Sequence, residues 1–137
     1  MFLRRRNDQI GYYVLDSYRW MIGLQKERPN VLQIACGKRS KNSKSLQPVH
    51  INGETVMIMG ALTEVDENNY EVLAFLHYIS TTTSYRNGDH PYLAEYLMEK
   101  GWTEDTFTPY FAVVSKHCLK HLQKILMIVS EKTNTND

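Results

Sequence analysis

Two runs of β-forming residues, Pro48-Val49-His50-Ile51 and Glu54-Thr55-Val56-Met57-Ile58-Met59, are separated by Asn52-Gly53. Asn-Gly is the strongest short hairpin signal a sequence offers, because a two-residue turn that matches strand twist demands positive φ at both positions. A second turn signal, Asp66-Glu67-Asn68-Asn69, precedes a run from Tyr70 to Ser80 that is apolar enough to be buried. Read together, residues 48–80 form a block of paired strands, and the chain is a sheet with helices around it.

The flanking segments supply those helices. Ile10, Val14, Ser17, Met21 and Leu24 share one helical face within residues 7–25, with Asn7 or Asp8 available as a cap. Gly11, Gly23 and the β-formers Tyr12, Tyr13 and Val14 favour a strand as the alternative. Pro29 ends the element in either case. Val31 to Cys36 reads as a short strand closed by Gly37. Asp89 is a credible cap for a helix with Pro91 in its first turn, a Tyr92-Leu93-Tyr96-Leu97 stripe and a Gly101 stop. Thr108-Pro109 repeats the cap-then-proline pattern and opens the longest expected helix, about residues 109–131. Its apolar face comprises Phe111, Val114, Cys118, Leu122, Ile125, Leu126 and Val129, with Lys116, Lys120 and Lys124 opposite.

This order predicts an α+β domain: an antiparallel sheet of three to five strands, an N-terminal helix or strand, and two C-terminal helices packed on one face. With 137 residues, of which 42% are hydrophobic, the chain is expected to form a single domain with flexible ends at 1–6 and 132–137. An alternative fold comes from a resemblance. The run Gly53 to Leu62, a turn, Tyr70 to Leu76, then a polar link and a helix resembles the last two strands and closing helix of OB-fold subunits of single-strand-binding complexes. It covers about a third of the chain and implies a small barrel with a C-terminal helical extension.

Charge excludes some roles. Sixteen Lys and Arg against fifteen Asp and Glu leave a net charge of +1, far from the basic excess of a dedicated duplex-DNA binder. The N-terminal Met1-Phe2-Leu3-Arg4-Arg5-Arg6 places its charges after its apolar residues, which is not the pattern of a secretory signal. No apolar stretch approaches the roughly 20 residues that span a bilayer. Cys36 and Cys118 both lie in apolar runs, and two free thiols in a reducing compartment are expected. The expected location is cytoplasmic, as a soluble intracellular protein.

Several residues are candidates for chemistry. His117 and His121 have the i, i+4 spacing that chelates a metal from one helical face. They lie at the border of the apolar stripe, however, and a third ligand has to come from His50, His77 or His90, so the preferred reading is of rings packed at the core edge. Asp89-His90 with Glu95 has acid–base composition, but capping and the first helical turn account for it. Cys36 beside Gly37 is a nucleophile only if its pKa is lowered; a structural cysteine is the simpler reading. The sequence holds no Gly-x-Gly-x-x-Gly, P-loop, Gly-x-Ser-x-Gly or Cys-x-x-Cys motif. No cofactor is implied.

Two features remain. Lys38, Arg39, Lys41 and Lys44 punctuate a Ser/Asn-rich stretch, residues 38–45, suited to a phosphate backbone, and Arg4-Arg5-Arg6 could join it. Nine Tyr and two Trp are abundant for this length, and both types are favoured in interfaces because they join a large apolar body to a polar tip. Tyr85, Tyr92, Trp102, Phe107 and Tyr110 gather in residues 85–110. The expected function is therefore a non-enzymatic module that binds another protein, with Tyr85, Tyr92, Trp102 and Phe107 at the contact. The alternatives are a single-strand nucleic-acid binder using residues 38–45, and a small metal- or cysteine-dependent enzyme.

Overall fold

The computed structural model describes residues 3–5, 9–37, 46–81 and 87–135. The chain divides into two compact units, Met1–Tyr78 and Ile79–Asp137. It is an α+β protein.

In the first unit the Asn52-Gly53 turn forms as expected. Asn52 adopts φ 52° and Gly53 φ 82°, and β4 (Gln47–Ile51) pairs antiparallel with β5 (Glu54–Gly60) so that Ile51 faces Glu54. Three further strands, β1 (Leu3–Arg5), β2 (Gln9–Tyr13) and β3 (Gln33–Cys36), complete a five-stranded sheet of order β1-β2-β3-β5-β4. The number of strands falls within the expected range, but the sheet is mixed rather than wholly antiparallel. β5 lies between β3 and β4 and runs parallel to β3. This order leaves β4 at the edge, where the missing N–H of Pro48 does not interrupt a second ladder. It also overturns the OB-like alternative: the sheet ends at β1 and β4 and does not close into a barrel.

Residues 7–25 hold both of the elements weighed for them. β2 ends at Tyr13, and α1 (Leu15–Ile22) begins two residues later. The junction is sharp, with Leu15 at φ 54°, a region that non-glycine residues enter rarely. Gly11 is explained by the strand and not by a helix. A Cβ there would collide with the Ala35 carbonyl of the neighbouring β3. Gly23 closes α1 at φ 93°, its N–H donating to the Trp20 carbonyl at 3.3 Å.

The expected strand at 70–80 is instead a helix, α2 (Tyr70–Ser80). The turn before it is real but serves as a helix entry. Asp66 Oδ1 accepts the N–H groups of Asn68 and Asn69 at 2.8 and 2.9 Å, and Asn69 Oδ1 accepts that of Asp66 at 2.8 Å. An unbroken apolar run has no periodicity to separate helix from strand, and length decides. Eleven residues are too many for a typical buried strand, and Leu, Ala and Glu are good helix formers.

The regular elements of the second unit are all helical among its described residues. A 3₁₀ turn at Asn87–Asp89 leads into α3 (His90–Lys100), which Gly101 ends at φ 71°. Asp89 occupies the cap position without a side-chain capping bond. The helix expected over about 109–131 is a 3₁₀ segment, Thr108–Val113, followed by α5 (Lys116–Thr135), and a short α4 (Glu104–Phe107) precedes both. Two caps that the sequence reading passed over set these breaks. Thr103 and Thr106 form a reciprocal capping box at α4. Ser115 Oγ accepts the Cys118 N–H at 3.1 Å at the start of α5. Cys118, Leu122 and Ile125 are fully buried on α5, and Leu93, Ala94 and Leu97 on α3. α3 packs against α5.

Candidate functional site

Three places collect the side chains that carry polar or recognition chemistry. The first lies inside the first unit, where β2, α1 and α2 each bury a polar group. Tyr12 on β2 is fully buried. Its hydroxyl accepts the Leu62 N–H at 3.1 Å and stands 2.8 Å from His77 Nδ1 on α2. The hydroxyl and Nδ1 share one hydrogen bond, whose direction follows the His77 tautomer. Burial pushes His77 down to about 4 and pushes the Tyr12 phenol well up, against a smaller lowering by the Leu62 hydrogen bond. Both are neutral at pH 7. One residue along α2, the Tyr78 hydroxyl accepts from Arg19 Nη1 at 2.6 Å, and the Tyr78 ring lies 5.2 Å from that of Tyr18. These groups hold α1, β2 and α2 in register. An imidazole held so far below neutrality is poorly matched to acid–base work at pH 7.

The second place is a ladder of aromatic rings in the second unit. Phe107 is fully buried. The half-buried Trp102 meets it edge-to-face at 5.8 Å, and Tyr96 meets Trp102 in the same way at 5.8 Å. Lys100 Nζ lies 5.7 Å from the centre of the Tyr96 ring. One helical turn before Tyr96, Tyr92 is 39% exposed, and Met98 on the same helix is 38% exposed. The aromatic segment thus runs from core to surface. Phe107, expected at a contact, is a core side chain that braces Trp102, because full burial leaves it no surface to offer. Tyr85 lies outside the described residues. Tyr110 is half-buried.

The third place is a cluster of imidazoles on α3 and α5. His90 Nε2 stands 3.4 Å from His121 Nδ1, and the His117 ring sits edge-on to His121 with centroids 4.4 Å apart. The fold therefore supplies His90 as the third ring that the His117/His121 spacing lacked. Sequence order hides this neighbour: His90 is brought in by the packing of α3 on α5. The three rings are in contact, yet among the described residues no three His, Cys, Asp or Glu side chains are arranged to hold a metal ion.

The remaining candidates are placed as follows. Lys38, Arg39, Lys41 and Lys44 lie outside the described residues. So does Arg6, while Arg4 and Arg5 belong to β1. Cys36 and Cys118 are free thiols. Burial raises the Cys118 thiol, with a smaller opposing hydrogen bond from Ser80, which is the reverse of an activated nucleophile. Glu95 is exposed and pairs with Lys132 at 2.9 Å. Among the described residues no helix is long and apolar enough to cross a membrane. Comparison with known protein families, curated proteins and solved structures returned no match.

Proposed function

We propose that the chain is a non-enzymatic binding module that acts through protein–protein contacts, as an adaptor, a complex subunit or a small inhibitor of a larger assembly. The observation that carries this reading is the ring ladder: Tyr92, 39% exposed on α3, stands one turn from Tyr96, which leads through Trp102 to the fully buried Phe107. Binding hot spots are enriched in Tyr and Trp, and an anchor braced by packed neighbours loses little conformational entropy when a partner covers it. The surface set is Tyr92 and Trp102. The two free thiols support an intracellular, reducing setting for the interaction.

The test is capture by a tagged full-length chain, with and without nuclease treatment. A protein should be retained in both conditions. Because Tyr92 is exposed, Tyr92→Ala should fold as the parent does, judged by circular dichroism, and weaken retention by about tenfold or more. Capture that disappears with nuclease sinks the reading in favour of nucleic acid. Capture that Tyr92→Ala leaves intact removes α3 as the contact.

A further inference from the structure

The histidine cluster has a property that three separate imidazoles would lack. His90 and His121 are only 9% and 8% exposed, and their Nε2 and Nδ1 atoms meet at 3.4 Å. Two imidazole nitrogens can share such a contact only while one ring keeps a lone pair to accept the other's N–H. When both rings are protonated, the acceptor is gone and two cations face each other with centroids 5.5 Å apart. His117, one turn earlier on α5, packs a third imidazole edge-on to His121, with centroids 4.4 Å apart. Among the described residues, the charges acting on the pair are mostly of the same sign. Lys124 acts on both buried rings and Lys120 on His121, and the opposing group is the Asp89 carboxylate beside His90.

We propose that His90 and His121 form an acid-sensitive latch between α3 and α5, with His117 packed against it, closed while these two rings are neutral and opened as they take up protons. The buried Leu93, Ala94 and Leu97 of α3, which packs against α5, hold the helices together, and the imidazole pair where the start of α3 meets α5 sets the pH at which that end stays shut. Burial, first, and then Lys124 lower the His90 pKa against a smaller upward pull from Asp89. Burial, His117, His90, Lys124 and Lys120 in turn lower that of His121. Groups depressed on folding bind more protons in the open form. The latch is therefore at full strength above the ordinary histidine value near 6.5 and weakens as pH falls through it. The protons belong to the coupled set rather than to one ring.

Hydrogen exchange on the full chain at pH 7.5 and 5.5, corrected for the intrinsic pH dependence of amide exchange, tests the latch. Peptides from α3 and α5 are scored apart from α2, whose His77 has its own titration. Protection in α3 and α5 should fall at the lower pH, by at most about tenfold per pH unit for each extra proton taken up. The double substitution His90→Gln/His121→Gln should flatten that dependence. Lys124→Gln, at an exposed position, should fold normally and reduce it, because removing the cation lets the rings protonate in the closed form. High salt should act in the same direction. Protection unchanged between the two pH values overturns the latch. So does a wild-type pH slope retained in the double variant or, where that variant fails to fold, in His90→Gln alone, which removes one nitrogen of the 3.4 Å contact.

Discussion

Two helices of this chain are built on opposite terms. In α2, eight consecutive residues from Val72 to Ile79 are buried. In α5, burial falls on Cys118, His121, Leu122 and Ile125, while Lys116, His117, Lys120, Gln123, Lys124 and Met127 are exposed. A half-exposed helix must alternate with a period near 3.6 residues, and that period is visible in its sequence. A helix buried all round has no polar face, so its periodicity is erased. The two should differ just as sharply in how much each position contributes to stability.

The largest effect is expected at Phe75, fully buried in α2. Phe75→Ala removes a ring from a packed interior and should cost about 3–5 kcal/mol, read as a lowered denaturant midpoint with an unchanged slope. A loss below about 1 kcal/mol would mean that α2 can collapse around the gap, and the contrast with α5 would narrow.

Acid should come next, and α2 again carries it. His77 is held near 4 against an ordinary 6.5, so the unfolded chain binds a proton that the folded chain refuses between those values. Its contribution is fully present above pH 6.5, declines as pH falls towards 4 and is gone below that, a loss on the order of 3 kcal/mol. Urea midpoints across that range should fall, and His77→Gln should flatten the fall while stability at pH 7 changes less. An equally steep fall in the variant would shift the acid sensitivity to the α5 histidines.

Tyr12→Phe should have the third effect. It keeps the ring but deprives His77 Nδ1 of its hydrogen-bond partner and the Leu62 N–H of its acceptor. Leaving buried groups unmatched costs about 1–3 kcal/mol, measurable by the same denaturation. A neutral result would mean that water reaches these groups, and α2 would be less enclosed than its neighbours imply.

The same contrast explains what was legible in the sequence. The β4–β5 hairpin was readable because only a few residues accept the φ values of Asn52 and Gly53. The stripe of α5 was readable because it is half wet. The run 70–80 suits a strand as well as a helix, because Val72, Phe75, Tyr78 and Ile79 favour either and no polar face arbitrates. The parallel pairing of β3 with β5 and the meeting of His90 with His121 depend on where distant segments pack, which no local pattern encodes. Ser115 and Thr103 are ordinary cap residues that compete in the sequence with the stronger start signal of Thr108-Pro109. At the aromatic segment, residue type marked the region, but burial separated Phe107, a brace, from Tyr92, a surface ring.

The smallest effect should come from the outer side of α5. Lys132 Nζ meets Glu95 Oε1 at 2.9 Å, with side chains 36% and 64% exposed. Such a pair gains little Coulomb energy in water and must hold two long side chains still, so Lys132→Ala should cost less than about 1 kcal/mol and nothing measurable in high salt. Met127→Ala, at 62% exposure, should change stability by no more than about 0.5 kcal/mol. If either substitution approached the loss expected at Phe75, the outer side of α5 would have to be covered in solution. A partner or a second copy on that face would then be indicated, and the difference between the two helices would reflect what covers them rather than how each is built.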